Sequence, residues 1–128
     1  MQNGDFTLTW EPKNRLILSC HKGFWTVETA ERYSAELLQM LQSIPPGSCD
    51  MIADLTEHPV QSREVNEVMA RLARDLANNR IRQAVGIITG SVIARMQFER
   101  VSTTVPMRFV ASETEARTLL ATLNDGKA

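Results

Sequence analysis

Residues 49–64, CDMIADLTEHPVQSRE, decide the fold, because this segment runs from an apolar stretch through a polar turn into the start of a helix. Residues 49–55 are mostly apolar with little alternation, which is typical of an interior strand covered on both faces. Ser62 has the kind of side chain that caps a helix N-terminus. In α/β domains, ligands and partners usually meet the backbone at such a junction. The segment therefore predicts both the centre of a sheet and a binding surface.

Upstream of this segment, the sequence predicts a hairpin followed by a helix. Residues 6–10 alternate apolar and polar side chains at the period of a half-buried strand, and residues 15–21 follow a short turn as their partner. Thr26 can cap a helix that runs to about Ser43. The apolar positions expected to face the core recur every three or four residues: Val27, Ala30, Tyr33, Leu37, Leu41 and Ile44. The loop at 22–25 holds two aromatic residues, and both burial over the sheet end and exposure as a contact patch remain open.

Downstream of the segment, three helices and two strands are predicted. In order, they are a helix from Ser62 to Asn78, a strand at 84–89, a helix at 91–101, a strand at 105–111 and a helix opened by Ser112. Ser112 and Glu115 have the spacing of a capping box. Together with the hairpin and first helix, this order predicts an α/β domain with a mixed five-stranded sheet flanked by four helices. We expect one domain over residues 1–123 and a flexible tail at 124–128.

Composition argues against several classes of function. The 128 residues suffice for one domain with one core, and a net charge of −1 gives no overall field to hold a polyanion such as nucleic acid. The longest apolar runs fall far short of the roughly 18 residues needed to span a bilayer. Residues 1–10 lack the apolar core of a signal peptide, and only two cysteines are present. We therefore expect a cytoplasmic protein without a membrane span.

Four long stretches carry a resemblance to a known family. They are NRLILSCHKGFWTVETAERYSAELLQML, CDMIADL, QAVGIITGSVIARMQFERV and MRFVASETEARTLL. In element order, and in the Gly, aromatic, Thr entry to the first helix, the chain resembles a STAS domain (sulfate transporter and anti-sigma factor antagonist) of the SpoIIAA-like branch. The resemblance spans about residues 6–123. It implies a small cytoplasmic module that binds a partner protein, a nucleotide or an apolar ligand.

In the best-known members of that family, a switch is phosphorylated within an Asp, Ser, Ser, Gly motif after the central strand. The resemblance places this switch at residues 54–62, where the two adjacent serines and the glycine are missing. Thr56 and Ser62 are the hydroxyls at that place. A phosphate on Ser62 would lie where a helix N-terminus favours negative charge. The alternative is that Ser62 only caps the helix and Thr56 only forms the turn.

Residue types and spacings in the chain argue against catalytic and metal-binding arrangements. Residue types suited to zinc are present in Cys20, His21, Cys49 and His58. No pair of them has the spacing of two to four residues that typifies a zinc motif. A nucleophilic set of Ser91, His58 and Asp54 lacks the glycine that a nucleophile elbow requires after the serine. We therefore predict a protein that is not an enzyme and that needs no metal or cofactor.

The second half of the chain is locally basic. Eight arginines lie between Arg63 and Arg108, against four acidic residues. Arg71 and Arg74 fall on the second helix, where Arg71 is spaced to pair with Glu67 and Asp75. This helix face is either a contact surface for an anionic partner or an ordinary solvated face.

These observations predict a non-enzymatic binding or regulatory module that contacts a protein partner through the junction at residues 54–63. The residues assigned to that contact are Asp54, Thr56, His58, Ser62, Arg63, Arg71 and Arg74. The alternative is a carrier of a small apolar or anionic molecule, such as a lipid or nucleotide, with a pocket beside the third helix. The residues assigned to that pocket are Ile88, Ser91, Ile93, Met96 and Phe98. A homodimer is a further option for the partner.

Overall fold

A five-stranded mixed sheet organises the protein, and helices pack on both of its faces. The computed structural model describes residues 4–76, 80–88 and 107–125. The strands are β1 Asp5–Glu11, β2 Leu16–Lys22, β3 Asp50–Glu57, β4 Gln83–Ile87 and β5 Met107–Val110. The helices are α1 Val27–Gln42, α2 Arg63–Asp75 and α3 Glu113–Asp125. None of the helices in these ranges is long and apolar enough to cross a membrane.

The strands lie in the order β1-β2-β3-β4-β5. β1 and β2 form the predicted antiparallel hairpin, and the other neighbouring strands are parallel. β3 is therefore the central strand, as the apolar segment predicts, with Ile52 between Leu18 of β2 and Val85 of β4. The predicted fold class, an α/β domain with a mixed five-stranded sheet, is confirmed.

The two faces of the sheet belong to two hydrophobic cores. One core joins α1 and α2 to alternate residues of the strands, including Ile17, Met51 and Ala84. The other core joins α3 to the intervening residues, including Ile52 and Val85. Because successive side chains of a strand point to opposite faces, this division explains why residues 49–55 are apolar without alternation.

Side chains of the predicted capping residues define the helix starts. Thr26 Oγ1 accepts from Thr29 N at 3.1 Å, and Ser62 Oγ accepts from Val65 N at 3.2 Å. Each cap satisfies a backbone N–H that has no partner inside its own helix. Ser112 Oγ caps α3 by accepting from the backbone N of Glu115 at 3.1 Å, but the Glu115 carboxylate accepts from Ala111 N at 2.9 Å, one residue before the position that a capping box uses.

Several sequence predictions need correction. Val27 is 38% exposed, because it is the first residue of α1 and lies at the edge of the core. The chain does not become a free tail at residue 124: α3 continues through Asp125, and Asn124 Nδ2 donates to Asp50 Oδ2 at 2.9 Å. The predicted helix at 91–101 lies outside the described residues.

Candidate functional site

Two loops meet at the carboxyl edge of the sheet. They connect β2 to α1 and β3 to α2, and they are neighbours because β2 and β3 are parallel and adjacent. Gly23 N donates to Glu57 O at 2.8 Å, which joins the two loops directly. Gly23 has a φ of 71°, a left-handed conformation that glycine adopts at no steric cost. This turn separates Phe24 and Trp25 from the end of β2.

A group of buried polar and aromatic side chains supports these loops. We call it the histidine cluster, and it consists of Ser19, His21, Trp25, Tyr33 and His58. Ser19 Oγ lies 2.7 Å from His21 Nε2 and 2.8 Å from the Tyr33 hydroxyl. The His21 ring stacks on Trp25 with centroids 4.8 Å apart and planes 9° apart. His58 contacts both of these rings edge-on, at centroid distances of 5.2 and 4.8 Å.

Burial keeps the ionisable members of the histidine cluster neutral at pH 7. Burial lowers the pKa of His58 to about 4, against a smaller opposing effect of its hydrogen bond to Gly23 O. Burial also lowers the pKa of His21 well below 6.5, and the charge of His58 lowers it further. The pKa of Tyr33 is raised to about 12 by burial. Because an unpaired charge is costly in such an environment, neutral hydrogen-bonded groups are the stable form.

Gln61 links the two loops a second time. Its Oε1 accepts from Trp25 N at 2.7 Å, and its Nε2 donates to Gly23 O at 3.1 Å. His58 Nδ1 lies 3.1 Å from the same Gly23 carbonyl. Gln61 is only 7% exposed, so these bonds form away from bulk water. Two residues that follow β3 therefore fix the backbone that follows β2.

Three exposed apolar side chains lie on or next to the two loops. Phe24 is 62% exposed, Val27 is 38% exposed and Val60 is 37% exposed, and they are the large apolar side chains with exposed surfaces in the described part of the chain. We call these three residues the apolar patch. Phe24 and Val27 follow β2, and Val60 belongs to the loop after β3. Phe24 and Val60 thus lie on the two loops that the buried hydrogen bonds hold together, and Val27 begins α1 directly after the first loop.

Asp54, Thr56 and Ser62 form local structure at the predicted junction. Asp54 Oδ1 accepts from Thr56 N at 3.1 Å and from Thr56 Oγ1 at 2.8 Å. Both residues lie inside β3, which continues to Glu57, so the suggested role of Thr56 as a turn former is wrong. Ser62 caps α2, which is one of the two roles suggested for it.

His58 has a different position from the one expected of a contact residue. It is 3% exposed and faces the histidine cluster instead of a partner. Its aromatic neighbours His21 and Trp25 come from β2 and the loop that follows it, so its burial depends on residues far from it in the sequence. His58 contributes to the predicted contact surface only indirectly, by packing under the loop that follows β2.

The predicted arginines lie on the outer side of α2. The Arg63 side chain is 88% exposed and its Nε lies 3.3 Å from Glu67 Oε1. Arg71 Nη2 lies 3.9 Å from Glu31 Oε1 of α1. The predicted pairs of Arg71 with Glu67 and Asp75 do not form between these described side chains. Arg74 is exposed in the last turn of the helix.

The residues of the alternative pocket fall mostly beyond what the structure describes. Ile88 is half-buried, and its backbone N donates to Val110 O at 3.0 Å. Ser91, Ile93, Met96 and Phe98 lie outside the described residues. Within residues 4–76, 80–88 and 107–125, no three or more His, Cys, Asp or Glu side chains are placed to hold a metal ion.

Comparison with known proteins concerns the fold. No protein-family model and no curated protein matches the sequence. The structure is similar to the crystal structure of an uncharacterised protein from the DUF3478 family with a SpoIIAA-like fold, from Shewanella loihica PV-4. The match has a TM-score of 0.72 and covers 94% of this chain and 95% of that chain. This chain has a SpoIIAA-like fold. The two sequences are 15% identical, so the similarity confirms the predicted SpoIIAA-like, STAS-type architecture and shows the fold alone.

Proposed function

We propose that this SpoIIAA-like domain is a non-enzymatic binding module that docks a protein partner at the carboxyl edge of its sheet. The contact comprises residues 54–63, the apolar patch beside them and the exposed face of α2. The observation that carries the proposal is the exposure of Phe24 and Val60 on two loops that buried hydrogen bonds hold together, with the exposed Val27 at the start of α1. Exposed apolar side chains grouped in this way are typical of protein contact sites.

Rigid support makes this patch suitable for binding. Association costs free energy when side chains and loops must be ordered at the interface. Trp25 and Gln61 already fix the backbone on either side of Phe24, so less ordering remains to be done on docking. Aromatic side chains are enriched among the residues that contribute most to protein interfaces. We therefore expect Phe24 to contribute more than either valine.

The partner must also cover surface beyond the apolar patch. A stable interface takes roughly 800 Å² from each partner, which is more than three side chains can expose. The adjoining α2 offers Arg63 and Arg71, whose side chains are 88% and 61% exposed. An acidic region on the partner would meet these arginines while an apolar region covers Phe24.

The roles of the polar residues support binding over catalysis. His21 and His58 are buried and hold the loops, and Ser62 is occupied as a cap. A general base needs access to the proton that it removes, with a pKa near the working pH. The low pKa and burial of His58 fit a structural role better than proton transfer.

A photo-crosslinking experiment tests the proposal. A benzophenone amino acid is placed at Phe24 in one variant and at the exposed Thr122 of α3 in another, and cell extract is irradiated with each. We expect one defined protein adduct from position 24 and none from position 122. Phe24→Glu combined with Val60→Glu should abolish co-purification of the same protein, with the far-UV circular dichroism spectrum unchanged. Undiminished co-purification with the double variant would refute the proposed surface, and an adduct with a second copy of the chain would identify a homodimer.

A further inference from the structure

The sheet face that carries α3 has a hollow that shares only Asp54 with the proposed contact. Among the described elements, α3 packs against β3, β4 and β5. Beside it lies a hollow of about 260 Å³ that extends across β2 to β1. Leu18, Ile52 and Ile87 give it an apolar lining, and Thr7 and Thr9 border it from β1. Ligand pockets usually measure roughly 300–1,000 Å³, and this volume lies just below that range, so it suits only a small molecule.

The charged residues that line this hollow are both acidic. They are Asp54, at the carboxyl end of β3, and Glu113, in the first turn of α3. The two hydrogen bonds from Thr56 both use Asp54 Oδ1, so they leave the acceptor capacity of Oδ2 to other donors. Glu113 Oε2 accepts from Arg117 Nε at 3.0 Å, which reduces its share of the negative charge. Asp54 is therefore the principal anion of the hollow.

The pKa of the Cys20 thiol depends on the electrostatic potential in the same hollow. Burial raises its pKa, and the negative charge of Asp54 raises it further. Lys22 opposes this effect, and Glu57 reinforces it. A thiolate is thus disfavoured at this position by neighbouring negative charge. The same potential attracts a cation, because a cleft lined by one sign of charge concentrates ions of the other sign.

We propose that the hollow binds a small organic cation, namely a protonated primary amine with a short apolar body. The ammonium group has three N–H donors, which suit the Asp54 carboxylate and the hydroxyl oxygens of Thr7 and Thr9. The apolar body covers Leu18 and Ile52. This site shares Asp54 with the protein contact proposed above, but the test below uses the purified protein and follows Cys20, so its outcome does not depend on that contact.

Thiol labelling measures the potential directly. Two methanethiosulfonate reagents of similar size, one with an ammonium group and one with a sulfonate group, are reacted with the full-length protein. Cys20 is half-buried whereas Cys49 is fully buried, and a Cys20→Ser variant measures any reaction at Cys49. We expect the ratio of ammonium to sulfonate rates to exceed that of free cysteine by about tenfold. Asp54→Asn should lower the ratio, whereas Glu67→Gln, on the outer side of α2, should leave it unchanged.

A second experiment tests whether a bound amine occupies the hollow and protects Cys20 from labelling. Cyclohexylammonium, cyclohexanol and cyclohexanecarboxylate are added in turn, and labelling by the uncharged reagent iodoacetamide is followed. We expect only cyclohexylammonium to slow the labelling of Cys20 in a saturable manner, with a weaker effect in Asp54→Asn. Equal protection by all three compounds, no protection, or a rate ratio equal to that of free cysteine would each overturn the proposal.

Discussion

Mild acidification should destabilise the protein through its two buried histidines. The pKa of His58 is lowered by burial from 6.5 to about 4 in the folded state. Above pH 6.5 the imidazole is neutral in both states, so the folded state keeps its full stability. Between pH 6.5 and 4 the unfolded chain binds a proton that the folded chain does not. The free energy of unfolding therefore falls as the pH is lowered through this window.

The size of the effect follows from the His58 pKa. At pH 5 the unfolded imidazole is almost fully protonated and the folded one is mostly neutral, which lowers the free energy of unfolding by about 2 kcal/mol relative to pH 7. His21, with its pKa lowered by burial and by the charge of His58, adds to the loss in the same direction. Such a loss is large against the roughly 5–15 kcal/mol that stabilises a typical domain. Isolated carboxyl groups titrate at about pH 4, below the pH 5 of this comparison.

Urea unfolding at pH 7 and at pH 5, followed by circular dichroism, measures the loss. The variant His58→Gln removes one titrating group, so its loss between the two pH values should be smaller than that of the original protein by about 2 kcal/mol. The chain has two histidines, so their NMR signals can be assigned by this single variant. A His58 imidazole that titrates in the folded protein near pH 6.5, or equal stability at pH 7 and pH 5, would refute the reasoning.

Three substitutions test the contacts that position the site. Gln61→Ala leaves the buried Trp25 N–H without its acceptor and should cost about 2–4 kcal/mol in urea unfolding; a cost below about 1 kcal/mol would contradict the assigned role. Asp50→Ala removes the carboxylate that accepts from Arg82 at 3.0 and 2.9 Å. Because this carboxylate is 97% buried but Arg82 is partly exposed, calorimetry should show a loss of about 2–4 kcal/mol, near the lower end for a broken buried pair. Ser62→Ala removes the cap of α2 and should cost about 1 kcal/mol, with faster amide exchange confined to the first turn of that helix.

Features set by neighbouring residues in the chain were predictable from the sequence. Thr26 and Ser62 cap helices because a cap depends on the next three residues, which the sequence shows directly. The central position of β3 was also predictable, because residues covered on both faces are apolar at successive positions. In each case the physical cause lies within one element or its immediate flank.

Features set by contacts between distant residues were not predictable. His58 is buried because the parallel pairing of β2 and β3 brings it against His21 and Trp25. Arg71 meets Glu31 of another helix instead of a residue four positions away on its own. Phe24 and Trp25 are adjacent aromatic residues with opposite fates, and only the tertiary structure shows which one is buried.

The opposite fates of Phe24 and Trp25 connect the buried cluster to the proposed contact. An exposed phenylalanine on a free loop could fold back onto apolar surface and lose its availability to a partner. Here Trp25 is fixed through its backbone N by Gln61 and through its indole Nε1 by the carbonyl oxygens of Asp5 and Lys22, at 3.1 and 3.2 Å. These bonds hold Trp25 in the buried cluster, while the preceding Phe24 is 62% exposed. The buried polar cluster thus stabilises an exposed apolar surface, and the same histidines that make the fold sensitive to acid position the residue that we expect to bind.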